Sequence, residues 1–119
     1  LFVWKSLPLN GDNPDVIFDG KISNIELAKI NCIAGDDKYF YISTQENKTY
    51  VWEDVPITNT TPKITISTAI GGGSGKAGGS CSSDGVYITS ISTFEHMVRI
   101  YRIADLISSP ENPPQPMAQ

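Results

Sequence analysis

The chain repeats itself. "LFVWKSLP" begins at Leu1, "TYVWEDVP" at Thr49 and "VRIYRIAD" at Val98, shifts of 48 and then 49 residues. This register puts Trp4, Trp52 and Tyr101 at one position, and Val3, Val51 and Ile100 at the position before it. Pro14 matches Pro62, and "DVIF" (Asp15 to Phe18) matches "KITI" (Lys63 to Ile66), again at 48. "CIAGDDKYFYIS" from Cys32 matches "CSSDGVYITS" from Cys81 at 49. A unit of this length confines the chain to repeat architectures, in which each unit buries its apolar face against a neighbour.

Within a unit the apolar runs are short and extended. "KYFYIS", "TYVWED" and "KITIST" mix aromatic and β-branched residues over a few positions, the mark of strands. Turn residues separate them: Gly35-Asp36-Asp37, Gln45-Glu46-Asn47, and the segment from Pro56 to Pro62. Only "SNIELAKI" (Ser23 to Ile30) suggests a turn or two of helix, with Ser23 or Asn24 as N-cap and Ile25, Leu27 and Ile30 on the apolar side. The rest reads as β.

Four short strands per unit of this length is the spacing of a β-propeller blade. From the inside outward, the strands are "INCIA" and "GSCSS", then "KYFYIS" and "GVYITS", then "TYVWE" and "VRIYR", then "DVIF" and "KITI". The expected fold is therefore all-β, a β-propeller with blades of four antiparallel strands that form part of a larger ring. Residues 1–19 supply the two outer strands of an incomplete blade, 20–67 a complete blade, and 68–119 a second blade with a proline-rich end. The outermost strand of that last blade falls in "NPPQPMAQ", where proline restricts it to a sheet edge.

The arrangement resembles the NHL-repeat propellers. The residues that carry the resemblance are "DDKYFYISTQENKTYVWEDVP" (Asp36 to Pro56), similar to that family's aspartate turn, aromatic strand, polar hairpin and hydrophobic strand. "LFVWKSLPLNGDNPDVIFD" (Leu1 to Asp19) is similar to its passage into the outermost strand. The resemblance implies a ring of several blades, of which this chain supplies about two and a half. The expected partners are then the remaining blades of a longer chain, ~290 residues for six blades, or further copies of this one. An opening on Leu1 in mid-blade favours the longer chain.

Several motifs were weighed for chemistry. "GGSGKAGG" suggests a phosphate cradle, but Ile70 stands where the P-loop pattern needs glycine, Ala77 replaces the hydroxyl residue, and no helix follows. In register the stretch is a flexible connector from one blade to the next. Strand alternation sends these connectors, and the hairpins between the second and third strands, to one end of the ring. That end gathers Lys21, Lys29, Glu46, Asn47, Lys48, Lys76, Phe94 and His96, and is the expected binding face, with Lys76, Phe94 and His96 as candidates. His96 is the only histidine, so a metal site of several histidines cannot be composed, and a Ser-His-Asp or Cys-His arrangement has His96 alone to be built on. "NGDNPD" (Asn10 to Asp15) lacks a closing glutamate for calcium. Asp36-Asp37 and Asp84-Gly85 read as backbone turns, and the repeated Trp4, Trp52 and Tyr101 as packing between blades.

Composition narrows the function. A net charge of -4 argues against a nucleic-acid surface, which needs clustered Lys and Arg, and no run is long and apolar enough for a membrane span. Cys32 and Cys81 form either one disulfide or two buried thiols. Two N-glycosylation sequons, at Asn47 and Asn59, point to an exported or cell-surface protein. The leading expectation is a non-catalytic binding or scaffold module that needs no cofactor and presents its loops to a protein or glycan. The resemblance implies a second possibility, part of a metal-dependent lactonase or lyase whose catalytic residues lie in other blades. A small oligomeric lectin is disfavoured, because the loops of the two units differ.

Overall fold

The computed structural model describes residues 2–3, 13–14, 16–22, 25–53, 61–71, 80–92 and 96–117. The chain is mostly β, and every strand pairing among these residues is antiparallel. The order is β1 (Phe2–Val3), β2 (Val16–Ile17), β3 (Lys21–Ile22), β4 (Ile25–Glu26), a 3-10 turn at Leu27–Lys29, β5 (Ile30–Gly35), β6 (Phe40–Thr44), β7 (Thr49–Trp52), β8 (Ile64–Ile66), β9 (Ser80–Ser83), β10 (Tyr87–Ser92), β11 (Met97–Arg102) and α1 (Ile103–Ser108).

Sequence neighbours pair in space. β5, β6, β7 and β8 form a four-stranded meander, β9, β10 and β11 a three-stranded one, and β1–β2 and β3–β4 are two-stranded. None of these sheets closes on itself among the described residues.

Alternation along β6 and β7 explains why the central sheet is buried on both faces. Ile42 and Trp52 point to one side, where they pack with Phe18, Ile22 and Ile25, and Phe40 meets Trp52 edge-on at 6.1 Å. Tyr41 and Val51 point to the other side, where Ile66, Ile88, Tyr101, Ile103 and Leu106 join them. Tyr41, Ile42, Val51 and Trp52 are each no more than 1% exposed. Burying a large apolar side chain to this extent contributes about 1.5–3 kcal/mol, so both packed faces matter. Trp52 and Tyr101, matched by the repeat, both face the sheet or hairpin that precedes their own. Trp4 lies outside the described residues.

Two local expectations are corrected. Among the described residues of Ser23 to Ile30 the helical turn is confined to the 3-10 turn Leu27–Lys29, because Ile25 pairs with Ile22 as a strand; Ser23 and Asn24, the candidate N-caps, lie outside the described residues. The cause is tertiary, because the hairpin buries Ile22 and Ile25 together under Trp52 and Ile42. The second correction lies after β11. The chain enters α1 directly, since Ile103, Leu106 and Ile107 fall at i, i+3 and i+4 and pack against the core. "NPPQPMAQ" forms no strand among its described residues, yet Met117 N–H donates to the Ile100 carbonyl at 2.7 Å, so the segment does return along the outer edge of β11.

Candidate functional site

The parts of the molecule with chemical character lie along the seam between the central sheet and the β9–β11 sheet, and at its two ends. At one end, the β5–β6 and β9–β10 turns are built alike. Asp36 Oδ1 accepts the Lys38 and Tyr39 amides at 2.8 Å, and Asp84 Oδ1 accepts the Val86 and Tyr87 amides at 2.8 Å. Gly85 takes a φ of +92°, which a side chain would strain. Asp36 does more than cap its own turn: its Oδ2 accepts the Tyr41 hydroxyl at 3.2 Å and the Ser83 hydroxyl at 2.5 Å. Ser83 belongs to the neighbouring sheet, so this carboxylate ties the two sheets together. Burial opposes its ionisation, but the bonds from Ser83, the Tyr39 and Lys38 amides and Tyr41 outweigh burial and hold its carboxyl below the usual range. Burial and the adjacent Asp36 charge push the Tyr41 hydroxyl far up. Asp84 is also held low, by its two amide donors.

Midway along the seam, Cys32 and Cys81 form a disulfide with a Cα–Cα distance of 5.8 Å. Its geometry corrects the equivalence drawn from the repeat. Asp36 and Asp84 are 48 apart, whereas the cysteines are 49 apart, so Cys32 lies four residues before its turn and Cys81 three before its own. Strand pairing agrees: Cys32 lies opposite Ser43, but Cys81 lies opposite Ser90. Side chains alternate between faces, so one residue of difference places the two cysteines on opposite faces of their strands. Between sheets stacked face to face, that is the arrangement that lets them meet.

The two ties also set direction. Cys32 meets Cys81 and Asp36 meets Ser83, so β5 and β9 run side by side in the same sense. The β6–β7 and β10–β11 hairpins therefore share the far end of the stack. There Asn47 and His96, each just before the third strand of its sheet, adopt left-handed φ of 62° and 55°. Asn47 Oδ1 accepts the Ala69 amide at 3.3 Å, and Thr49 Oγ1 accepts the Ile70 amide at 3.1 Å while donating to the Thr68 carbonyl at 2.8 Å. Gly71 N–H donates to Ser43 Oγ at 3.0 Å. A Cβ on Gly71 would stand 2.7 Å from Asn31 Oδ1 and 3.2 Å from Ser43 Oγ, so the connector passes where only glycine fits. The start of the glycine-rich stretch is thus pinned to the central sheet, not free. Lys29 adds an exposed cluster here, 2.7 Å from Glu46 and 3.8 Å from Glu26. Its hydrogen bond to Glu46 holds the lysine above and the glutamate below their ordinary values.

Between the inner strands lies an open groove of about 470 Å³, lined by Leu27, Ile30, Asn31, Ile33, Ser80 and the disulfide. Asn31 sits at the irregularity in β5 and its Nδ2 donates to the Thr44 carbonyl at 3.4 Å. Among the described residues no three His, Cys, Asp or Glu side chains cluster to hold a metal ion.

The sequence candidates are distributed as follows. Asn47 is exposed on the hairpin end and His96 on the equivalent hairpin of the next sheet. Asn59, Lys76 and Phe94 lie outside the described residues. The Asp36–Ser83–Tyr41 tie was missed by sequence reasoning, which assigned Asp36 to its own turn alone. A scan against protein families finds no match, and no curated protein and no solved structure is similar to the chain.

Proposed function

We propose that this chain is a segment of a β-propeller that serves as a non-catalytic binding or scaffold module of an exported or cell-surface protein. Its ring would be completed by further blades, from a longer chain or from other copies, and its hairpin end would meet a protein or glycan. The observation that carries this reading is the in-sense alignment of β5 and β9, which gathers successive hairpins and the sheet-to-sheet connector at one end. Connectors displayed together on a rigid scaffold are where binding function concentrates. The rigidity is built from named contacts: the disulfide, the Asp36–Ser83 bond and the pinned Thr68–Gly71 segment. The opposite end offers carboxylates already committed to backbone amides and hydroxyls, which suits structure better than catalysis. A disulfide also fits an oxidising compartment.

The test is binding to glycan and peptide arrays with matched variants at the two ends. His96→Ala combined with Lys48→Ala, at the hairpin end, is expected to lower retention at least tenfold, while Lys38→Ala at the turn end leaves it unchanged. Equal retention by both variants, or hydrolysis of lactone substrates by the wild type, would overturn the reading.

A further inference from the structure

We propose that Asn47 accepts an N-linked glycan only before this part of the chain folds, and that docking of the segment from Thr68 to Gly71 ends its acceptance. The inference rests on reading the protein as exported, since only an exported chain meets the sugar donor. Asn47-Lys48-Thr49 satisfies the acceptor pattern, in which the asparagine amide receives the sugar and the hydroxyl two residues on is read by the transferase. In the folded hairpin the two residues have different fates. Asn47 is exposed and holds a left-handed φ of 62°, which asparagine tolerates better than most residues. Thr49 is 0% exposed, and its Oγ1 both accepts the Ile70 amide at 3.1 Å and donates to the Thr68 carbonyl at 2.8 Å. The residue that would carry the sugar faces solvent, while the hydroxyl that marks it is bonded into the connector.

The chemistry of transfer makes the order matter. Asn47 Nδ2 attacks the anomeric carbon of a lipid-diphosphate-linked oligosaccharide; the C–N bond forms as the C–O bond to the diphosphate breaks, and the amide gives up one proton. These changes leave Oδ1 in place, so it still has a lone pair for the Ala69 amide, 3.3 Å away, once the sugar is attached. A glycan added early is therefore compatible with the fold, and it stands at the end of the stack where the hairpins gather. Late addition is opposed, because freeing Thr49 Oγ1 breaks both of its bonds to the connector and exposes a buried residue. The connector is held further along as well, where Gly71 N–H donates to Ser43 Oγ at 3.0 Å. Opening the acceptor thus requires undocking of Thr68 to Gly71, a larger event than fraying of a hairpin tip.

The test uses the full chain with Asn59→Gln, which leaves Asn47 as the acceptor. One sample is synthesised into microsomal membranes behind an added leader. The other is folded first and then given to the solubilised transferase with its lipid-linked donor. Mass spectrometry of the Asn47 peptide is expected to find the folded sample about tenfold less occupied, because only its undocked fraction is read. Folded Gly71→Ala is expected to regain about threefold, since its Cβ would stand 2.7 Å from Asn31 Oδ1 and push the connector off the central sheet without touching the sequon. An intact disulfide and retained β circular dichroism establish that this variant is folded; if it is not, Ser43→Ala, which removes the acceptor for Gly71 N–H, takes its place. A folded chain modified as fully as the nascent one, a nascent chain left unmodified, or a folded variant no more occupied than folded wild type overturns the inference. The leader brings the chain to the donor wherever the native protein resides, so such a failure leaves the export reading standing. Native protein without sugar at Asn47, with both samples behaving as expected, counts against export and supports the order of events.

Discussion

Asp36 shows how one residue acquires a role beyond its turn. Its carboxylate accepts four hydrogen bonds, two within the turn and two that reach Tyr41 and the neighbouring sheet's Ser83. Its carboxyl is held below the usual range in the folded protein, so folding favours the ionised form. A depressed carboxyl adds stability that is fully present above its unfolded value, about 3.9, and is lost as pH falls through the folded value. Asp36→Asn is therefore expected to be less stable than wild type at neutral pH. The difference should shrink as pH falls below about 4, when wild type loses the same contribution. Urea unfolding at a series of pH values measures this, and a difference that grows in acid would contradict it. The turn role of Asp36 was legible in the sequence, since Asp followed by Asp or Gly before an aromatic strand is turn chemistry. The tie to Ser83 was not, because it spans 47 residues and depends on how two sheets stack.

At the scale of elements, the strands from β5 to β11 were legible because alternating aromatic and β-branched residues coincide with strong turn residues at each end. Two short elements were not. In Ser23 to Ile30, the spacing of Ile25, Leu27 and Ile30 satisfies a helix about as well as a hairpin, and only the burial of Ile22 beside Ile25 decides between them. In α1 the helical signal is present at Ile103, Leu106 and Ile107, but it spans less than two turns and follows a strand without a break. The helix earns its place through packing: Leu106 is 1% exposed within the cluster shared with Tyr41, Val51 and Ile66, and the Ser67 amide donates to the Pro110 carbonyl at 2.8 Å just beyond the helix. Leu106→Ala should cost about 2–5 kcal/mol, from lost burial and the cavity left behind. Chemical denaturation would read this as a lower midpoint with an unchanged slope. A loss under ~0.5 kcal/mol would show that α1 is peripheral to the core.

At the scale of the whole molecule, the repeat made the order of sheets legible but concealed how they face one another. Cys32 and Cys81 look equivalent at a spacing of 49, yet the turns that fix strand register are 48 apart. That single residue turns Cys81 toward the central sheet and Ser80 away from it, in keeping with the alternating exposure along β9. Two cysteines at the same register would both point the same way around the stack and could not meet. The in-sense alignment of β5 and β9 and the gathering of hairpins at one end belong to this face-to-face arrangement. Moving one sulfur by one residue tests it most directly. The double variant Ser80→Cys, Cys81→Ser keeps the cysteine count and brings the cysteine spacing from 49 to 48, that of the turns. Thiol titration in denaturant without reductant is expected to find no free thiol in wild type and both thiols free in the variant. A variant that forms the crosslink as completely as wild type would contradict the stacked arrangement.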